Sequence, residues 1–166
     1  MPCLIGDKLR FLRSQHNVTQ AELARQLAAS RAHINNVEAS RKLPSLTLTV
    51  QTAVLFGVTT DYLLRDTIPV ETTSQYKSPD RPVGKTFFNL LGAKVKYLRT
   101  KHNLTQLAVA TQLQLAANTH ISYLEAGRKD PSLDLVVALA DLFSVSTDYL
   151  LRDTIPVELT DGGHCE

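Results

Sequence analysis

The sequence predicts an all-α protein made of two tandem five-helix domains, and three observations carry that reading. Residues 60–71 read TDYLLRDTIPVE, and residues 147–158 read the same twelve letters again. Around that identity, 6–27 aligns with 92–113 at an offset of 86, and 33–71 with 120–158 at an offset of 87. A unit of about 65 residues therefore occurs twice, with one residue inserted near 114–117 of the second copy. Finally, apolar residues recur at helical spacing through both copies, with no sustained alternation of the kind a strand needs.

In the first copy, Leu9, Leu12 and Arg13 share one face of a helix that ends near His16-Asn17. Thr19 then caps a second helix, and Glu22 three residues on completes a capping box. Leu23, Ala24 and Leu27 point that helix inward. A turn at Ala28-Ala29 leads into a third helix, about 30–39, whose buried pair is Ile34 and Val37. Arg41-Lys42-Leu43-Pro44 breaks the pattern, and Ser45 opens a fourth helix carrying Leu46, Leu48, Ala53, Val54 and Leu55. Gly57 ends it, and Thr60-Asp61 opens a short fifth through Tyr62-Leu63-Leu64. The one stretch that reads as extended is 67–71, TIPVE. The domains are expected at 1–71 and 86–158, joined by a linker at 72–85 rich in Ser, Thr and Pro, with a tail at 159–166.

Composition narrows the function classes. A hydrophobic fraction of 43% with 20% charged residues is that of an ordinary globular protein. No apolar run approaches the ~20 residues of a membrane span. The first residues lack a signal peptide's basic segment and apolar core. Cys3 and Cys165 stand at the two extremes, which is no disulfide framework, so a cytoplasmic protein is expected. Charge is unevenly divided: residues 6–71 hold eight basic against six acidic side chains, residues 92–158 seven against seven. A polyanionic partner suits the first copy better than the second. No nucleophile–base pair, phosphate loop or paired acids stand out, so no enzyme and no cofactor are expected. His33 and His120 match in position, but neither has a second His or Cys at ligand spacing, so no metal is expected either.

The second and third helices of each copy form a helix-turn-helix, and the residues make that signal specific. TQAELARQLAASRAHINNVEASRKLPSL with GVTTDYLL, and TQLAVATQLQLAANTHISYLEAGRKDPSL with SVSTDYLL, resemble the Xre/Cro/C1-type helix-turn-helix family. That family contains the five-helix, lambda-repressor-like DNA-binding domain of lambdoid phages. The pattern I-x-x-x-E-x-G-x-x-x-P stands in the second copy as Ile121, Glu125, Gly127 and Pro131, and the resemblance covers about four-fifths of the chain. It implies double-stranded DNA as partner, read in the major groove by the start of the third helix. The implied base-reading residues are Arg31, Ala32, His33 and Asn36, and in the second copy Asn118, Thr119, His120 and Tyr123. Gln20, Arg41 and Lys42, repeated as Gln106, Arg128 and Lys129, are the implied phosphate contacts. Arg13 with Glu38, and Arg99 with Glu125, match a family ion pair that joins the first and third helices.

The copies depart from the family at defined places. The turn glycine, where φ is often positive, is Ala28 in the first copy, and the second copy carries its insertion there. Ser40 stands where the second copy keeps Gly127, and Ala108 replaces the capping-box Glu22. Three of the four reading positions differ between the copies. Family members commonly pair on palindromic sites, so a covalent pseudo-dimer or a homodimer is expected. Its expected contact surface is Tyr62, Leu63, Leu64, Ile68 and Val70, with Tyr149, Leu150, Leu151, Ile155 and Val157; the alternative for the leucines is core packing. The expected function is transcriptional regulation, most simply repression, in a bacterial or phage setting. The competing expectation is a protein-interaction module, antitoxin-like or anti-repressor-like, in which the second copy binds a partner.

Overall fold

The computed structural model describes residues 4–73 and 89–158. Cys3, Cys165, the tail and most of the linker lie outside the described residues. Ten helices stand among them: α1 (Ile5–Gln15), α2 (Gln20–Gln26), α3 (Arg31–Glu38), α4 (Leu46–Phe56) and α5 (Thr60–Leu64), then α6 (Leu91–Lys101), α7 (Gln106–Gln112), α8 (Thr119–Glu125), α9 (Leu133–Leu142) and α10 (Thr147–Leu151). They fall into two compact units. The first holds the first copy together with Ser132–Val137, and the second holds the remainder of the second copy. None of the helices is long and apolar enough to cross a membrane.

Hydroxyl caps set where α2 to α5 begin. Thr19, Ser30, Ser45 and Thr59 each accept a hydrogen bond from the backbone N–H three residues on, at 3.1–3.2 Å. The last of these caps α5, which begins at Thr60 as expected. The capping box at Thr19 forms only in half. Glu22 donates its N–H to the Thr19 hydroxyl, but its carboxylate turns along the helix to Arg25 (2.6 Å) and Gln26 (3.1 Å). A charged partner within one turn outcompetes the backbone N–H.

Left-handed residues set where the helices end. Asn17, Ala28, Ser40 and Gly57 have φ of 53, 49, 54 and 64° in the first unit, and Asn103, Gln114, Gly127 and Ser144 have 53, 54, 64 and 53° in the second. The same four breaks are thus made in both copies, and only two of the eight residues are glycine. Asparagine adopts this conformation readily, but Ala28, Ser40, Gln114 and Ser144 each cost roughly 1 kcal/mol there, so helix packing fixes those corners against local preference.

That packing centres on α3, which lies against α1 and α2, while α5 closes on α1 and α4. Leu12, Leu23, Ile34 and Val37 are buried between them. Gly6 permits the approach of α1 to the end of α3: a Cβ at this position would lie 2.4 Å from the Val37 carbonyl oxygen. Gly92 does the same beside Leu124, at 2.5 Å.

The twelve-residue repeat closes each unit on itself. Lys8 is fully buried and donates to the carbonyls of Tyr62 (2.6 Å) and Arg65 (2.7 Å), lying over the Tyr62 ring. Lys94 does the same to Tyr149 and Arg152, both at 2.6 Å. Asp66 accepts the Leu4 N–H, and Asp153 accepts those of Asn89 and Leu90, so each caps the first helix of its own unit. The stretch 67–71 is not extended. It turns through bonds from the Ile68 N–H to Arg65 and from the Thr72 N–H to Pro69, and the Tyr62 hydroxyl pins the turn by donating to the Val70 carbonyl. Proline and the buried Ile68 favour a folded exit over an unpaired edge.

Burial holds Lys8 and Lys94 at a pKa of about 8, down from the usual 10.5, against a smaller opposing pull from Asp66 and Asp153. Between about pH 8 and 10 the unfolded chain therefore binds more protons than the folded one, and stability rises with pH. Tyr62, pushed up to about 12 by burial, acts oppositely only above its own usual 10. The thermal midpoint at pH 9.5 should therefore exceed that at pH 7.5, and the Lys8→Met/Lys94→Met protein should show no such rise. An equal rise in that variant would exclude the lysines as its source.

Candidate nucleic-acid interface

The interface is built on one buried carboxylate per unit. Arg13, on α1, reaches Glu38 at the end of α3 with two bonds, Nε to Oε1 at 2.6 Å and Nη2 to Oε2 at 3.1 Å. Its remaining arm donates to the Val18 carbonyl at 3.0 Å. Gln20, the first residue of α2, donates to the same Glu38 Oε2 at 2.8 Å. Three helices and the α1–α2 turn are thereby referred to one side chain. The hydrogen bond to Glu38 raises the Arg13 pKa further, against its own desolvation. The second unit repeats the frame through Arg99, Leu104, Gln106 and Glu125, with every bond within 0.1 Å of its counterpart.

This frame leaves the start of α3 outward. Arg31 and Ala32 are exposed, while His33 and Asn36 are half-buried. Arg31, Ala32 and Asn36 line one shallow groove together with exposed Asn35. Asn35 was not among the expected readers, although its spacing of four from Arg31 places both on one face. In the second unit Asn118, Thr119 and His120 are exposed, and Tyr123 is 45% exposed. Ser122 stands where the first unit has Asn35. The insertion also changes how α8 begins: Ala117 occupies the place of the capping Ser30, and α8 starts without a side-chain cap, with Asn118 at its N-cap. The third helix consequently shortens from eight residues to seven.

The basic loops are tied to the reading positions by backbone. Arg41 and Lys42 both donate their N–H groups to the Asn36 carbonyl (2.9 and 3.3 Å), and Arg128 donates to Tyr123 (2.8 Å). These three side chains, and that of Lys129, are exposed. Gln20 and Gln106 are half-buried and already engaged by the frame carboxylates, which leaves each amide one further N–H for an anion. His16 and His102 cap the ends of α1 and α6 and lie against Phe56 and Phe143. Among the described residues no three His, Cys, Asp or Glu side chains gather as a metal site.

The residues expected at a domain contact occupy two environments. Tyr62, Leu63, Leu64 and Ile68 are buried, as are Tyr149, Leu150 and Leu151; the bonds of Lys8 and Lys94 tie both tyrosines into their own units. Val70, Ile155 and Val157 are half-buried.

Comparison with known proteins agrees with this architecture. Two helix-turn-helix family profiles match, one over residues 4–65 and one over 95–150. The chain is 39% identical over 61 residues to the HTH-type transcriptional regulator ImmR of Bacillus subtilis, covering 37% of this chain and 47% of that protein. It is 42% identical over 52 residues to an HTH-type transcriptional regulator of Methanocaldococcus jannaschii, covering 31% of this chain and 79% of that protein. The regulator YobD of Bacillus subtilis is 40% identical over 58 residues, which are 35% of this chain and 51% of that protein. The chain thus spans about half the length of ImmR and YobD. No solved structure matches at a significant level.

If Glu38 is the node of the first unit, Glu38→Ala strands the Arg13 guanidinium and should remove ~3–5 kcal/mol from that unit. Urea melts followed by circular dichroism should show one transition moved to lower urea and a second, that of the other unit, left in place. A loss below ~1 kcal/mol would show that the frame does not depend on this carboxylate.

Proposed function

The chain belongs to the Xre/Cro/C1-type helix-turn-helix family, and from that premise we propose that it is a sequence-specific DNA-binding transcriptional regulator, acting as a repressor in the cytoplasm. The observation that carries this reading is the pair of frames, alike to 0.1 Å, that present different side chains at the start of α3 and α8. A major groove admits one such helix. Arg31 suits a guanine edge, and Asn36 and Asn35 suit adenine. Arg41, Lys42, Arg128 and Lys129 flank the reading helices as phosphate contacts.

The two units act as a covalent pseudo-dimer on an imperfect palindrome. Half-sites one helical turn apart are separated by ~34 Å, and the chain between Thr73 and Asn89 can reach at most ~55 Å. Val70, Ile155 and Val157, half-buried beside the closing turns, are the rim through which one copy would meet another. A second reading, in which the second unit binds a protein partner instead, is favoured by that copy's equal count of seven basic and seven acidic residues.

Four phosphate-facing cations predict an affinity loss of about a hundredfold between ~50 and ~200 mM salt. Arg31→Ala and Asn118→Ala should each cost about 1–3 kcal/mol of discrimination, in opposite halves of the selected site. Fluorescence anisotropy on half-site variants measures both. If Asn118→Ala changes nothing while Arg31→Ala abolishes binding, the second unit is no reader. If neither matters and salt has little effect, the chain is not this kind of regulator.

A further inference from the structure

Only three large apolar side chains are strongly exposed among the described residues, and two of them lie on the second helix-turn-helix: Leu107, 62% exposed on α7, and Tyr123, 45% exposed on α8. Their counterparts in the first unit are Ala21 and Asn36. From Gln106 to Glu125 there is no lysine or arginine, whereas the matching stretch of the first unit holds Arg25 and Arg31. The one carboxylate there, Glu125, is held by Arg99 and Gln106. The outer face of α8 therefore offers an aromatic ring, the His120 imidazole, a threonine methyl at Thr119 and small polar groups, with no lysine, arginine or free carboxylate.

Base edges in the major groove include one apolar group, the C5 methyl of thymine, and apolar side chains pair with it. We propose that Tyr123 is a specificity-determining residue that reads a thymine methyl, so that the second unit selects a thymine-bearing half-site while the first selects guanine and adenine through Arg31 and Asn36. This rests on the regulator reading above. DNA is favoured over a protein partner because everything around Tyr123 that serves a DNA reader is retained. The Arg99–Glu125–Gln106 frame is intact, and the Tyr123 carbonyl anchors the exposed basic loop through the Arg128 N–H at 2.8 Å. A ring at this position has already left the core, since Ile121 and Leu124 fill the buried face of the helix. Its exposure is therefore not required by the fold.

The test replaces thymine by uracil, which removes the methyl and leaves base pairing unchanged. The highest-affinity duplex is first selected from random sequence with the purified full chain. Single thymines are then changed to uracil, one position at a time, and Kd is measured for wild type, Tyr123→Phe and Tyr123→Ala. One methyl group buried against the ring should make wild-type binding about fourfold weaker at one position in one half-site. Tyr123→Phe should keep that loss, and Tyr123→Ala should abolish it, with an unchanged thermal midpoint showing that the variant is folded. Uracil effects that are absent, or that persist in Tyr123→Ala, would overturn the assignment of Tyr123 and leave the regulator reading standing. Failure to select any duplex would overturn both. If Tyr123→Ala unfolds the unit, Tyr123→Phe and Tyr123→Thr replace it: the first must retain the uracil effect and the second must shrink it.

Discussion

The reading helix of each unit is oriented by one carboxylate facing inward. Glu38 accepts two bonds from Arg13 and one from Gln20, so a displacement of α3 would have to break contacts to α1 and α2 together. Charge-assisted, bidentate bonds of this kind fix direction as well as distance, and direction is what a reading helix needs. Burial makes the arrangement all-or-none, because a guanidinium left alone in that environment is far more costly than the pair is favourable. The same atoms at the same distances around Glu125 show that the second copy keeps this constraint although its surface has changed.

A second constraint closes each unit from the other end. Helices α5 and α10 are only five residues long, too short to persist without tertiary support. Lys8 and Lys94 supply it by holding carbonyls at their C-terminal ends, and Asp66 and Asp153 return the favour at the start of α1 and α6. The twelve residues that recur without change therefore complete the core of each unit and cap its first helix. Their side chains are answerable to their own unit, which accounts for identity there beside divergence at α3 and α8.

Much of this was legible in sequence, and the parts that were not share a cause. Helical spacing located all five helices of the first copy within a residue or two, since the apolar face of each is a local pattern. The positive φ at Ala28 and Ser40 was legible only through the resemblance to a family with glycine there, because alanine and serine carry no local sign of it. Lys8 was not legible: a lysine in a helix reads as solvated, and only the arrival of Tyr62 and Arg65 from fifty residues away makes it a buried donor. Gly6 was invisible for the same reason, its neighbour being a backbone carbonyl of α3. The capping box failed where Arg25 competed for Glu22, and the extended exit failed where Tyr62 reached Val70. In each case a contact distant in sequence, or a stronger local charge, overrode the pattern. At the interface, residue type identified Arg31 and Asn36, while Asn35 required the helix to be placed.

One frame carrying two different reading heads is the claim on which the rest turns. Its most direct test is to exchange a head while leaving the frame alone, with Asn118→Arg, Thr119→Ala, Ser122→Asn and Tyr123→Asn introduced together. Sites are then selected from random duplex DNA by the wild type and by this variant. Two dissimilar half-sites for the wild type, and a second half-site converted into a copy of the first for the variant, are the results expected. A wild-type site that is already symmetric, or a variant site that does not change, would contradict the account.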